Sequence, residues 1–393
     1  MKGMAKGEER EDIISKWLKD LEELILEDVQ MDVDRLELIL QPQVVKPLLE
    51  KVVPAKPTEL LKEEFKPPIK EYPGQVVEVV LGATRAEGGS RCRSITIGGE
   101  KTPAFYLFEG VQPHRPVIVG DVFDMEISLP KPVRESLGDV LSDPAEWARV
   151  YVEKYGVDMI DIELISTDPL LKDTPAREAA KTVEEVLQAV DVPLIVGGSG
   201  NPEKDGEVLM KAAEVAEGER VLLSSATLDL YEPIAEAAKK YGHVVLAWTS
   251  LDINQQKELD RRLFEYIPKE RIVMDPTSAA LGYGIEYAFT VMERMRLAAL
   301  WGDEELQMPM AAATSNSWAA REAWRKAPEL GPRRLRGPLW EAIASLTFLL
   351  AGVDMFIMLH PAAMRTLRDV IDWLMAEGEA VKTTYEDWVS MEV

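Results

Sequence analysis

The sequence predicts an α/β protein: a (β/α)8 TIM barrel preceded by a β-hairpin segment and a helical N-terminal extension. Three observations carry this. From residue 115 onward, eight short apolar runs recur, at 117–123, 159–165, 194–196, 221–223, 244–247, 272–274, 308–313 and 355–359. Each is followed by a stretch of helical character. Helix signals stand between the runs: Asp143-Pro144, Asn201-Pro202 and Tyr231-Glu232-Pro233 open helices, and Gly156 and Gly242 sit where helices turn back into strands. The chain has 393 residues, 46% of them hydrophobic, enough for one large domain plus an appendage or for two domains. Eight unbroken alternations fit a closed barrel better than an open doubly wound sheet, which has fewer units.

Four segments follow. Residues 1–73 form a helical extension and a Pro-rich linker. Within it, Ile13, Ile14, Trp17, Leu18, Leu21, Leu24 and Ile25 fall at helical spacing over 9–29. That helix either packs on its own domain or serves as a docking arm for another subunit. A less regular stretch at 32–51 is broken by Pro42 and Pro47, and Pro54, Pro57, Pro67, Pro68 and Pro73 punctuate the linker. Residues 74–114 hold the hairpin, from two β-branched runs, QVVEVVLG and SRCRSITIG, joined through 83–89. Gly98-Gly99 then turns the chain toward Phe105-Tyr106-Leu107-Phe108-Glu109. The barrel spans 115–378, and 379–393 is a C-terminal tail.

Composition narrows the function. Asp and Glu number 69 against 45 Lys and Arg, a net charge of −24. This disfavours nucleic acid or an anionic membrane as partner. Cys92 is the single cysteine, so no internal disulfide is available and no iron–sulfur cluster can be ligated by this chain alone. His114, His243 and His360 are far apart and form no metal-binding spacing. Without an apolar leader or a membrane-length run, a cytoplasmic location is expected.

In a barrel, residues just past the strands converge on one mouth. Here these are Asp124; Ser166, Thr167 and Asp168; Ser199 and Asn201; Ser224, Ser225 and Thr227; Trp248, Thr249 and Ser250; Asp275, Thr277 and Ser278; Thr314, Ser315 and Asn316; and His360. The set is rich in hydroxyls and amides and poor in charge, which suits neutral hydrogen bonds to a large polar ligand. Any one of them also reads as a helix cap. Asp275 is either an acid–base group or a turn acid before Pro276, and His360 either an acid–base group or a cap-adjacent histidine. No Ser/His/Asp arrangement is argued, and no metal-ligand cluster is expected. The stretch Val192-Pro-Leu-Ile-Val-Gly-Gly-Ser-Gly-Asn-Pro-Glu203 combines a buried strand, a glycine notch and a capped helix start. The cluster Gly331-Pro-Arg-Arg-Leu-Arg-Gly-Pro338, flanked by Trp318, Trp324 and Trp340, is either a solvated loop or a contact for a phosphate or an acidic partner.

Several motifs, in order, resemble the delta (small) subunits of corrinoid iron–sulfur proteins, which belong to the acetyl-CoA decarbonylase/synthase (CO dehydrogenase/acetyl-CoA synthase) complex. They are Leu81-Gly-Ala-Thr-Arg-Ala-Glu-Gly-Gly-Ser-Arg91, Ile97-Gly-Gly-Glu100, Phe108-Glu-Gly110, Arg115-Pro-Val-Ile118, Leu164-Ile-Ser-Thr-Asp-Pro169, Asp275-Pro-Thr277 and Thr314-Ser-Asn-Ser-Trp-Ala-Ala-Arg-Glu322. The resemblance covers residue 76 to the last barrel helix; the N-terminal segment resembles archaeal-type members more loosely. It implies a TIM barrel paired with a large (gamma) subunit that carries the iron–sulfur cluster, the two enclosing a corrinoid (cobalamin-type) cofactor. It further implies methyl transfer from a methyl-tetrahydropterin or folate toward acetyl-CoA synthase, with a methyltransferase as a further partner.

The barrel also resembles pterin-binding methyltransferases, with changes. Their Asp-Ser-Thr-Asn run after the third strand corresponds to Gly198-Ser199-Gly200-Asn201, and their Asn-Ser after the fourth to Ser224-Ser225, while Asp275-Pro276 and Ser315-Asn316 remain. A buried pterin edge left unpaired costs about 1–3 kcal/mol per group. The expectation is therefore a non-catalytic subunit whose mouth faces the corrinoid through Ser166, Thr167, Gly198, Ser199, Asn201, Ser224, Thr227, Thr249, Asp275, Thr277, Ser315 and Asn316. The alternatives are a pterin-dependent methyltransferase in its own right and a purely structural subunit.

Overall fold

The computed structural model describes residue 66 and residues 69–106, 109–278 and 284–376. The expected helix at 9–29, the stretch at 32–51, Pro54, Pro57, Pro67, Pro68 and the tail at 379–393 lie outside the described residues. The hairpin strands come first in the chain, β1 (Val79–Leu81) and β2 (Ile95–Ile97). All eight expected barrel strands then form. They are β3 (Val117–Phe123), β4 (Met159–Glu163), β5 (Leu194–Gly197), β6 (Leu222–Ala226), β7 (Val244–Trp248), β8 (Ile272–Asp275), β9 (Ala311–Ala313) and β10 (Met355–Met358). They pair in parallel in the order β8-β7-β6-β5-β4-β3-β10-β9. A parallel bridge between Met274 and Met310, with the Met274 amide donating to Pro309 O at 2.9 Å, joins β8 to β9 and closes the barrel.

The strands are buried on both faces, one against the helices and the other in the barrel interior, which is why they read as apolar runs. Gly120 shows which face is which. A Cβ there would stand 2.5 Å from the Tyr151 ring, on the helix Pro144–Tyr155. Gly120 therefore faces outward, and its neighbour Asp121 faces the interior. Tyr151, fully buried, donates its hydroxyl to Leu359 O at 2.5 Å and ties that helix to the end of β10.

The helices begin and end where the sequence signals stand. Asp143 accepts from Ala145 N and Glu146 N, Asn201 accepts from Glu203 N, and Gly156 and Gly242 close their helices at φ 62° and 81°. The arginine cluster is not the solvated loop of the first expectation: Arg333 to Gly337 form the opening turns of a helix, Arg333–Ala351. Arg336 is buried, donating to Glu322 O and Arg325 O, because the preceding turns fold back over it.

The hairpin pairs β1 with antiparallel β2, Val79 facing Ile97. It covers the N-terminal end of the barrel. Gly82 N donates to Arg220 O, Val77 N to Gln307 O and Arg91 to Val190 O, all acceptors that lie before strands. Beneath it Arg296, only 3% exposed, bridges Glu100 at 2.7 Å and Asp354 at 2.8 Å. Burial pushes the Glu100 carboxyl up, but the Arg296 charge and hydrogen bonds bring it below its usual range.

Candidate functional site

The mouth is built in two layers. The upper layer holds the expected hydroxyls and amides, and many of them are turned inward to hold loops. Ser166 donates from its amide and its hydroxyl to Asp124, at 2.9 and 2.5 Å. Thr167 donates to Leu164 O, Thr249 to Gln256, and Thr277 to Thr249 O. Asn201 caps its helix. His360 is also a cap, accepting from Ala362 N through Nδ1. Burial drives its pKa down to about 4, so it is a neutral structural imidazole, stacked on Trp318 at 5.7 Å. Ser224 and Thr227 are half-buried at the end of β6, Ser315 is half-buried, and Asn316 is exposed.

The glycine notch holds an acid that the linear motif hides. A Cβ on Gly198 would stand 2.5 Å from the Asp205 carboxyl carbon. Asp205, in the first turn of the following helix, accepts from Ser199 N, Ser199 Oγ and Gly200 N at 2.8 to 2.9 Å. Both oxygens are thereby occupied, and the loop is fixed. Gly197, the preceding residue, makes room in the same way. It is the register partner of Glu163, and the Glu163 carboxyl fills the space its side chain would take.

Below this lies a layer of acids set within the strands rather than at their ends. Asp121 and Asp161 are register partners on β3 and β4, and Glu163 stands two residues further toward the mouth. One carboxylate oxygen from each lies within 4.8 Å of the others. Burial raises all three pKa values, Asp121 to about 6; repulsion from Asp121 adds to the shift of Asp161, and repulsion from Asp161 and Asp121 to that of Glu163. Asp275 is 6% exposed, accepts from Thr277 N at 2.8 Å, and is pushed up by burial to about 7. The mouth is thus more acidic than its strand ends suggest. The signal in the sequence is an acid inside an apolar run, as in VIVGDVF and MIDIE, which fits a side chain turned into the barrel interior.

The rim carries large apolar side chains. Leu170 is 90% and Leu171 56% exposed in the loop after β4, and Trp248 is 38% exposed at the end of β7. Among the described residues no helix is long and apolar enough to cross a membrane.

Against known proteins, residues 78–327 match the family described as CO dehydrogenase/acetyl-CoA synthase delta subunit. The acetyl-CoA decarbonylase/synthase complex subunit delta of Archaeoglobus fulgidus is 55% identical over 346 residues, 86% of this chain and 76% of that one. The counterpart from Methanothermobacter thermautotrophicus is 50% identical over 95% of this chain and 96% of its own. Among solved structures, a Xanthomonas albilineans dihydropteroate synthase with 4-aminobenzoic acid shares 19% identity over 68% of this chain and 94% of that one, at a TM-score of 0.47.

Proposed function

This chain belongs to the family of CO dehydrogenase/acetyl-CoA synthase delta subunits, and we propose that its barrel mouth is one wall of a corrinoid chamber completed by a large, iron–sulfur-carrying subunit. The carrying observation is the rim. Exposed Leu170, Leu171 and Trp248 stand at the strand ends with the neutral groups Ser224, Thr227, Ser315 and Asn316. A corrinoid has a flat, largely apolar ring edged with amide side chains. It calls for apolar contact and uncharged hydrogen-bonding partners, and this rim offers both. The acids sit a layer lower or, like Asp205, already have their partners. When bound, the corrinoid would supply the methyl-carrying chemistry between a methyl-pterin and acetyl-CoA synthase. Leu170, Leu171 and Trp248 would hold its ring and keep water from it, and Ser224, Thr227, Ser315 and Asn316 would meet its amide edge.

The notch argues against an independent pterin enzyme. Its acid comes from the helix rather than the strand, and Ser199 and Gly200 already donate three hydrogen bonds to it. Corrinoid absorbance after co-expression with the large subunit tests the reading. Retention should drop when this chain is omitted or when Trp248→Ala and Asn316→Ala are combined; full retention without it leaves a purely structural role. Micromolar binding of a methyl-pterin by this chain alone would overturn the proposal in favour of a methyltransferase.

A further inference from the structure

The carboxyl cluster under the mouth has no role in that reading. Asp161 is completely buried, and neither of its oxygens has a hydrogen-bond partner; Asp121 Oδ1 is likewise buried and unpartnered. Asp121 repels Asp161, the Glu163 carboxyl lies close enough to share a proton with it, and no cation acts on it. A buried carboxylate without donor or counter-charge is a high-energy arrangement. Other buried acids of this chain have partners: Arg296 stands between Glu100 and Asp354, Gln256 donates to Asp260, and Trp318, Leu359 N and His360 N donate to Glu341.

We infer that Asp121, Asp161 and Glu163 form a binding site for one hard divalent cation, reached from the barrel mouth. Three features fit this beyond the clustering. The unpartnered oxygens of Asp161 and Asp121 point to a missing positive ligand. The Ser315 side chain lies near the Asp121 carboxyl and favours its ionised form, the place an outer-shell partner of a metal ligand takes. Gly197 leaves space for Glu163, which is half-buried and gives a route to solvent. An all-oxygen set of three carboxylates, completed by water, selects Mg2+, Mn2+ or Ca2+ over zinc or copper. Register pairing of Asp121 with Asp161 holds two ligands on neighbouring strands, so the site is as rigid as the barrel itself.

The competing arrangement is a proton shared between Asp161 and Glu163. Manganese binding to the full chain separates the two. After chelator treatment, Mn2+ is titrated at pH 7.5 and free metal is read by electron paramagnetic resonance. One tight equivalent is expected above the weak, diffuse binding of an acidic chain, and Mg2+ or Ca2+ should compete for it. Asp161→Asn and Glu163→Gln should each weaken that equivalent by about 100-fold, while the exposed Glu153→Gln leaves it intact. If Asp161→Asn fails to fold by circular dichroism, Glu163→Gln carries the test, since its side chain is only half-buried. Absence of a tight equivalent, or its survival in both variants, overturns the proposal. A wild type that binds no manganese while Asp161→Asn melts higher assigns the cluster to a shared proton. No corrinoid is present in these experiments, so their outcome is separate from that of the chamber.

Discussion

The two ends of the barrel treat buried charge in opposite ways. At the N-terminal end, Glu100 and Asp354 flank Arg296, Asp354 also accepts from Met310 N, and the hairpin covers the whole. At the C-terminal end, Asp121, Asp161 and Asp275 are buried with no basic side chain acting on them. Compensated charge under a permanent cover contributes to a fixed structure. Uncompensated charge beneath an open mouth costs stability, and a fold retains it where something arrives from solution. This is the division between stability and function that barrels show at their two faces.

The largest expected effect comes from breaking the compensated end. Arg296→Met leaves two buried carboxyls without their cation and should cost about 3–5 kcal/mol, read as a lower denaturation midpoint. Changing Arg296, Glu100 and Asp354 together to apolar residues of similar volume should recover most of it. If Arg296→Met is neutral, the two ends do not differ in the way described.

The uncompensated end should show itself in pH dependence. Asp275 rises from 3.8 to about 7 on folding, through burial. Between those values the folded chain keeps a proton that the unfolded chain releases, so stability falls as pH rises across the window. Asp275→Asn retains an acceptor for Thr277 N and removes the penalty. The variant should match the wild type near pH 4 and exceed it above pH 7, by at most about 4 kcal/mol. Equal slopes in the two proteins would show that Asp275 is not held protonated.

Much of this architecture is legible in the sequence, and the reasons are local. Asp143, Asn201, Gly156 and Gly242 act through their own turns, so their roles follow from neighbours in the chain. The eight runs follow from two-sided burial. The acidic layer was not legible, because it depends on register: Asp121 and Asp161 lie 40 residues apart, and only the pairing of β3 with β4 brings them together. Asp205 reads as a first-turn acid suited to the helix dipole, and nothing in its spacing says that it fills the space beside Gly198. The arginine cluster reads as a loop because of its bracketing Gly-Pro pairs. In the fold Pro332 instead precedes the first turn of the Arg333–Ala351 helix, and Pro338 is accommodated inside it.

A smaller effect sharpens the reading of the notch. Gly198→Ala pushes a methyl group onto the Asp205 carboxyl and should cost about 1–3 kcal/mol. Combining it with Asp205→Ala should cost less than the sum, because the two share one space. Strict additivity would separate the glycine from the acid and return the notch to a simple turn.

The smallest effect decides what Asn201 does. Its side-chain oxygen accepts from Glu203 N at 3.0 Å, a cap on the helix that carries Asp205. Asn201→Ala should therefore cost about 1 kcal/mol, and Asn201→Ser should restore most of it, since a hydroxyl caps nearly as well. Corrinoid retention by the assembled complex supplies the second axis. A residue that acts only as a cap gives the serine variant normal stability and normal retention. A residue that also reaches the ligand gives normal stability with reduced retention, because serine cannot replace the amide N–H2. The first result confines Asn201 to the scaffold that holds Ser199, Gly200 and Asp205 in place, and leaves Ser224, Thr227, Ser315 and Asn316 as the polar face of the mouth. The second extends that face across the notch.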